Sequence, residues 1–334
     1  MNGPCPARRT LFDRSRSLLL CPTVGLARCR LFNLGEDYAI GDNPPYDYSL
    51  TRPDGNFHSP TVSYSATRLD TRVAMRDIVH LAEDIGPREA TSRNFVETAA
   101  FVETRFERLG YHVRRTNVRV PAGNSWGTPV RRGTSVNVIA EPKGFDAREP
   151  YVVIGAHLDT VPVAPGAEDN ASGIAVMLQL AKMVSQQPAA LPVQFIAFGA
   201  EEPRGSGDAL HHFGSRQHLA DLSRSERRVI QAMVSLDRVG VRASYVPVCT
   251  ANSSANRVRD AMRAAARRAD IPTRTCTNYT SDHWSYAKAG IPAVRLGSIP
   301  YAGYHSPGDV PGVVDRRQLD RVGRTVWAWL RSLN

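Results

Sequence analysis

YVVIGAHLDTVPVAPGAEDNASGIAVMLQLAKMVSQQ, from Tyr151 to Gln187, holds the pattern that decides the fold. Its opening YVVIG is a short continuous apolar run, as in a strand buried on both faces. From Asn170 to Gln187 the pattern turns helical. Between them, GAHLDTVPVAPGAEDNASG (Gly155–Gly173) carries one histidine and three acids, Asp159, Glu168 and Asp169, with hardly anything basic. The chain has a net charge of +10, yet gathers acids directly after a buried strand. Uncompensated charge there is costly, and a metal ion would neutralise it.

The strand–helix alternation continues on either side. TRVAMRDIVHLAEDIG (Thr71–Gly86) suits an amphipathic helix with Val73, Ile78, Leu81 and Ile85 on one face, stopped at Gly86-Pro87. SRNFVETAAFVETRFERLG (Ser92–Gly110) suits a second, closed by Gly110. YHVRRTNVRV and TSVNVIAEP read as strands, as do LPVQFIAFGAEE, QAMVSLDRVG, ASYVPVCT and IPAVRLGS. SANRVRDAMRAAARRAD and RRQLDRVGRTVWAWLRSL are helical, and Trp327 and Trp329 are not expected to face the core together. This order predicts an α/β three-layer sandwich with a central mixed, mainly parallel sheet flanked by helices. Residues 1–67 read as a poorly ordered extension, and 68–334 as a single catalytic domain.

Bulk properties narrow the classes. The 334 residues suffice for a full core, and the 42% hydrophobic and 22% charged content is that of a soluble globular protein. Arginines account for most of the basic excess but are scattered in pairs, without zinc-finger spacing or a concentrated stripe, so no nucleic-acid partner is expected. A basic rim that attracts anionic substrates stays open. None of the five cysteines forms a CxxC pair, which argues against a cysteine zinc site; whether Cys249 and Cys276 pair is left open. No apolar stretch is long enough for a membrane span. RRTLFDRSRSLLLCPTVGLARC (Arg8–Cys29) resembles a degenerate export signal or a misplaced start. Export is slightly favoured over the cytoplasm, and a monomer is expected.

The chemistry-bearing residues fall at strand ends, where sites in such folds lie. His157 and Asp159 follow YVVIGA, Asp169 lies in the next loop, Glu201 and Glu202 follow LPVQFIAFGA, Asp237 follows QAMVSL, and His305 sits in YAGYHSPGD. Imidazoles and carboxylates suit zinc. Two metals about 3.5–4 Å apart need a bridging carboxylate with further ligands on each side. The set supplies this, with His157 and Asp237 on one ion, Glu202 and His305 on the other, and Asp169 between. Asp159 would accept the second imidazole proton of His157. Glu201 is left as general base beside a metal-bound water.

In order, GAHLDTVP, PGAEDNASG, AFGAEE, SLDRVG, SDHWSYAKAGIPAV and YHSPGD resemble the M28 family of co-catalytic zinc peptidases, aminopeptidase Y/S type, over roughly Arg68 to Asn334. The resemblance implies a zinc-peptidase/phosphorylase-hydrolase-like fold, two Zn(2+) per chain and hydrolysis of peptides or small proteins, most often as an aminopeptidase. It carries the five ligands, the Glu201 base and the Asp159 role to the positions named. It also implies a strained peptide after the bridging aspartate, here Asp169–Asn170. HLDTVP fits the related M20 amidohydrolases too, but Glu202 to Asp237 and Asp237 to His305 span only 35 and 68 residues, too few for the inserted domain of that group. A carboxypeptidase, dipeptidase or glutaminyl-cyclase-like acyltransferase stays open, and a silent binding domain is disfavoured because all seven positions are present. Cobalt or manganese fit the same ligands.

The chain departs from the family pattern at several places. PRGSGDALHHFGSRQHLA after Glu202 is longer than usual; His211, His212 and His218 are expected on its surface. Arg238 stands where an apolar residue is usual, and is expected to face solvent rather than a substrate carboxylate. Asp282 and His283 are expected to be structural. Tyr279 is a candidate hydrogen-bond donor to the oxyanion.

Overall fold

The computed structural model describes residues 68–333. The extension through residue 67, with Cys5, Cys21 and Cys29, lies outside them. Strands β1 (His112–Val120), β4 (Gly133–Glu141), β5 (Tyr151–His157), β6 (Val193–Phe198), β7 (Ile230–Asp237), β8 (Val246–Thr250), β9 (Thr273–Thr277) and β10 (Ala293–Gly297) form one sheet in the order β1-β4-β6-β5-β7-β10-β8-β9. The four central strands β6, β5, β7 and β10 run parallel, and β1, β4 and β8 join antiparallel. A short hairpin, β2 (Gly123–Ser125) with β3 (Thr128–Val130), stands apart.

Apolar residues on both faces of the central strands explain the layers. Val152, Ile154 and Ala156 of β5 pack on one side with helices α1 (Thr71–Val79), α2 (Arg93–Arg108), α3 (Gly173–Gln186), α6 (Asn256–Arg268) and α8 (Arg316–Leu330). Tyr151 and Val153 face the other way, against Leu219 of α4 (Phe213–Asp221) and Tyr286 of α7 (His283–Lys288). A further short helix, α5 (Arg224–Val229), leads into β7. The result is a three-layer α/β sandwich. Gly173 at the start of α3 lies where a Cβ would come within 2.3 Å of the Leu236 carbonyl, so α3 can approach the end of β7 only with glycine there.

Two expectations need correction or completion. Trp327 and Trp329 are both buried, because α8 packs against α6, α3, α1 and β8 together, which covers its C-terminal half on every side. Cys249 and Cys276 form a disulfide; they are directly paired residues of parallel β8 and β9, which brings their Cα atoms to 4.3 Å. Among the described residues, no helix is long and apolar enough to cross a membrane.

Candidate metal centre

The central strands point their carboxyl ends at one place. His157 ends β5 and Asp237 ends β7, Glu201 and Glu202 follow β6, and His305 arrives on the loop after β10. The loop Gly166–Ser172 brings Asp169 between them, with a cis Asp169–Asn170 peptide. Asp169 Oδ1 lies 3.0 Å from His157 Nε2, and its Oδ2 lies 3.2 Å from His305 Nε2. Glu202 Oε2 is 3.2 Å from the same His305 nitrogen, and Asp237 Oδ1 is 3.9 Å from His157 Nε2. Ligand atoms of His157, Asp169 and Asp237 lie within 4.8 Å of one another, as do those of Asp169, Glu202 and His305. A third such group is His157, Glu201 and Glu202. All are buried.

This donor set fits zinc. Imidazole nitrogens and carboxylate oxygens converge in a buried space. The buried Glu202 Oε1 and His305 Nδ1 have no hydrogen-bond partner, although such atoms are rarely left so. Burial opposes ionisation of Asp169, but hydrogen bonds with His157 and His305 outweigh it and hold its carboxyl well below the usual range. Burial also opposes the His305 imidazolium, yet Glu202 and Asp169 lift its pKa to about 10. Glu201 goes the other way: burial, reinforced by Asp237 and Asp159 against the pull of His157, raises it to about 8.

The structure corrects the role expected of Asp159. His157 Nδ1 bonds the backbone carbonyl of Asp159 at 3.1 Å, and the carboxylate is 3.9 Å away. That carboxylate is taken by two other donors, accepting from the Glu201 amide at 3.0 Å and the Glu202 amide at 3.1 Å. Asp159 therefore fixes the turn that carries Glu201 and Glu202. Ala200, Arg238 and His305 adopt positive φ of 56°, 54° and 51° beside these residues, a conformation that costs a non-glycine residue about 1–2 kcal/mol.

Several supports were not legible beforehand. Arg88, fully buried, donates to the carbonyls of Leu158, Pro165 and Gly166 at 2.8, 2.6 and 2.8 Å, so it clamps the loop that carries Asp159 and leads to Asp169. Asp309 accepts the Glu168 and Asp169 amides at 2.8 and 3.0 Å. Glu168 accepts the Gly240 amide at 2.8 Å, tying the Asp169 loop to the end of β7. Arg295 on β10 is 1% exposed and places Nη2 2.8 Å from Asp237 Oδ1. An arginine inside the apolar run IPAVRLGS was the available signal, because a charge in a buried strand needs a partner. Trp126, in the turn of the β2–β3 hairpin, sets its ring edge-on to His305 at 4.5 Å.

The longer loop after Glu202 is not a surface loop throughout. His212 is buried, with Nε2 3.2 Å from Glu201 Oε1, and His218 is buried on α4 with Nδ1 2.7 Å from the Tyr286 hydroxyl. His211 is half-buried beside them. Asp282 and His283 are buried at the start of α7, where His283 Nε2 lies 2.8 Å from the Asn278 carbonyl. Tyr279 is about half exposed, its ring edge-on to Trp284 at 5.2 Å. Arg238 does not face open solvent: its guanidinium lies over the Tyr304 ring at 4.4 Å, and its side chain is 12% exposed.

Burial drives His218 and His283 each down to about pKa 3. The unfolded chain binds their protons below about pH 6.5 and the fold does not. Stability is therefore full above about pH 6.5 and falls by about 1.4 kcal/mol per pH unit for each histidine as pH drops toward 3. Urea midpoints measured at pH 7, 6 and 5 should show this slope, and His218→Gln should flatten it by one proton's worth. An unchanged slope in that variant would contradict the assignment.

Comparison with other proteins bears on the family and the fold. Residues 137–330 match the model of a family described as Peptidase family M28. Aminopeptidase YwaD of Bacillus subtilis (strain 168) is 32% identical over 206 residues, which span 58% of this chain and 44% of the length of that relative. Uncharacterized protein YfbL of Escherichia coli (strain K12) is 24% identical over 287 residues, 74% of this chain and 83% of YfbL. Among solved structures, BSAP, a zinc aminopeptidase from Bacillus subtilis, superposes with a TM-score of 0.69 at 20% identity, covering 78% of this chain and 94% of its own. Bacteroides thetaiotaomicron glutaminyl cyclase does so with a TM-score of 0.68 at 20% identity, covering 80% and 99%. At that identity the likeness is one of fold.

Proposed function

Because the chain belongs to peptidase family M28, we propose that it is a zinc-dependent aminopeptidase that removes N-terminal residues from peptides or small proteins, with residues 68–334 as its catalytic domain. The observation that carries this reading is Asp169, whose two oxygens reach His157 and His305 separately. Two zinc ions would be held there, His157 and Asp237 serving one, Glu202 and His305 the other, and Asp169 both. When bound, zinc supplies a Lewis acid for the scissile carbonyl and brings the pKa of water toward about 7.

The chain's own residues do the rest. Glu201 takes the proton of the attacking water at its carboxylate and returns it to the leaving amine. Asp159 positions Glu201 and Glu202 through their amides, and His212 stands against Glu201 with Nε2 3.2 Å from Oε1. Tyr279 is assigned to the oxyanion or to substrate contact. Burial of the centre excludes bulk water and strengthens each of these interactions.

The fold is shared with a glutaminyl cyclase, so the amino terminus is the discriminating feature. Leucine nitroanilide and N-acetyl-leucine nitroanilide should be compared on the zinc-loaded protein. Release from the free amine, with at least about a 100-fold lower kcat/KM for the blocked compound, is the expected result, since the blocked amine can no longer pair with the acidic centre. Preference for the blocked compound would refute the aminopeptidase reading.

A further inference from the structure

Arg295 in β10 is 1% exposed, and the two ends of its fork hold different things. Nη2 lies 2.8 Å from Asp237 Oδ1. Nη1 donates to Asn278 Oδ1 at 2.9 Å, to Thr280 Oγ1 at 3.0 Å and to the Thr280 carbonyl at 3.2 Å. One end therefore grips a candidate metal ligand, and the other grips the turn of residues 278–281 that follows β9.

That turn is itself anchored. The Asn278 amide donates to the carbonyl of Thr250, the last residue of β8, at 3.2 Å, and the Asn278 carbonyl lies 2.8 Å from His283 Nε2. Ser281 Oγ lies 2.9 Å from Ser235 Oγ of β7, the strand that ends in Asp237. Two residues before Asn278, Cys276 is joined to Cys249, so β9 is covalently fixed to β8. A guanidinium is planar and rigid, so anchoring one end of its fork fixes the other.

The oxygen that Arg295 holds also faces His157, with Asp237 Oδ1 3.9 Å from His157 Nε2. Held there, the carboxylate cannot turn away from the imidazole. Glu202, on the other side of the centre, is held differently, through its amide on Asp159 and its carboxylate on His305. An arginine behind a metal ligand has a second effect of opposite sign, because its charge repels a cation. Groups that orient a ligating carboxylate are ordinarily worth about 10–100-fold in metal affinity, so orientation is expected to outweigh repulsion. The two effects predict opposite results when the arginine is removed.

We propose that Arg295 is a positioning residue for the metal position of His157 and Asp237, and that the turn of residues 278–281, pinned through β9, keeps it in place. The proposal rests on the reading of the centre as a two-zinc site, and its test separates the two.

Zinc is titrated into the stripped chain in competition with a chromophoric chelator, which yields a constant for each step independently of activity. Circular dichroism verifies the fold of each variant. In Arg295→Met, the step that His157→Gln weakens should weaken at least about ten-fold, while the step that His305→Gln weakens should be unchanged. A role in the fold alone would weaken both steps together. Asn278→Ala keeps the buried arginine and removes one of its anchors, and it should weaken the same step by a smaller factor. Unchanged constants in both variants, or tighter zinc in Arg295→Met, would overturn the proposal and leave the two-zinc reading standing. If the unaltered chain takes up fewer than two zinc ions, the two-zinc reading fails and the proposal falls with it.

Discussion

Replacing Glu201 by glutamine should lower kcat by about 10²–10⁴-fold, the usual worth of a positioned general base, while zinc content and KM stay close to those of the unaltered protein. Glutamine keeps the size of the side chain and can still meet His212, which lies 3.2 Å from Glu201 Oε1. It cannot take a proton. Glu201 is also near enough to His157 and Glu202 to be considered a ligand in its own right. Kinetics combined with metal analysis separate the two roles. A base leaves metal content intact and stops turnover, whereas a ligand lowers metal content. Undiminished turnover in Glu201→Gln would remove Glu201 from the chemistry altogether.

Asp169→Ala has the widest predicted effect on the metals. In the proposed arrangement each of the other ligands serves one ion, whereas Asp169 serves both, taking part in the His157–Asp237 and the Glu202–His305 groups. Its loss should weaken zinc binding at both positions by more than about 100-fold, since even residues standing behind a ligand are worth 10–100-fold. His305→Gln, by contrast, should weaken one position and spare the other. Zinc counted by elemental analysis after dialysis, together with circular dichroism to verify the fold, checks both. Retention of both ions in Asp169→Ala would mean that the carboxylate does not bridge. Asp169 also pairs with two imidazoles, so the metal-free variant should unfold at a lower temperature than the metal-free parent.

The strands that position the site were readable because they are buried on both faces. YVVIGA and VQFIAF are continuous apolar runs, and nothing else suits such a run of that length between turn residues. The elements that escaped reading lack this signal. β9, TRTCT, is a half-exposed edge strand without apolar alternation. α4 and α7 are short, and α4 carries little apolar–polar asymmetry. The hairpin β2–β3 is held from outside its own sequence: Arg204 donates to the Pro121 and Arg131 carbonyls at 2.9 and 2.7 Å, and its own carbonyl accepts the Asn124 amide at 3.2 Å.

At the site the same distinction holds. His157, Asp169, Glu202, Asp237 and His305 were legible because parallel strand ends converge whatever their separation in sequence. Which atom of Asp159 meets His157 was not, because backbone and side-chain oxygens of one residue are equivalent to a sequence reading. Arg88, Asp309 and Glu168 act on the centre through backbone groups seventy or more residues distant. Arg238 looked like surface charge because only the fold places Tyr304 beneath it.

Removing the metals and restoring them tests the central claim most directly. The protein would be stripped with a chelator, assayed on a free-amine aminoacyl nitroanilide, and titrated with zinc while activity and bound zinc are followed together. The account predicts no chromophore release from the stripped protein and recovery that is complete at two zinc ions per chain. Release that survives complete removal of the metal would contradict it.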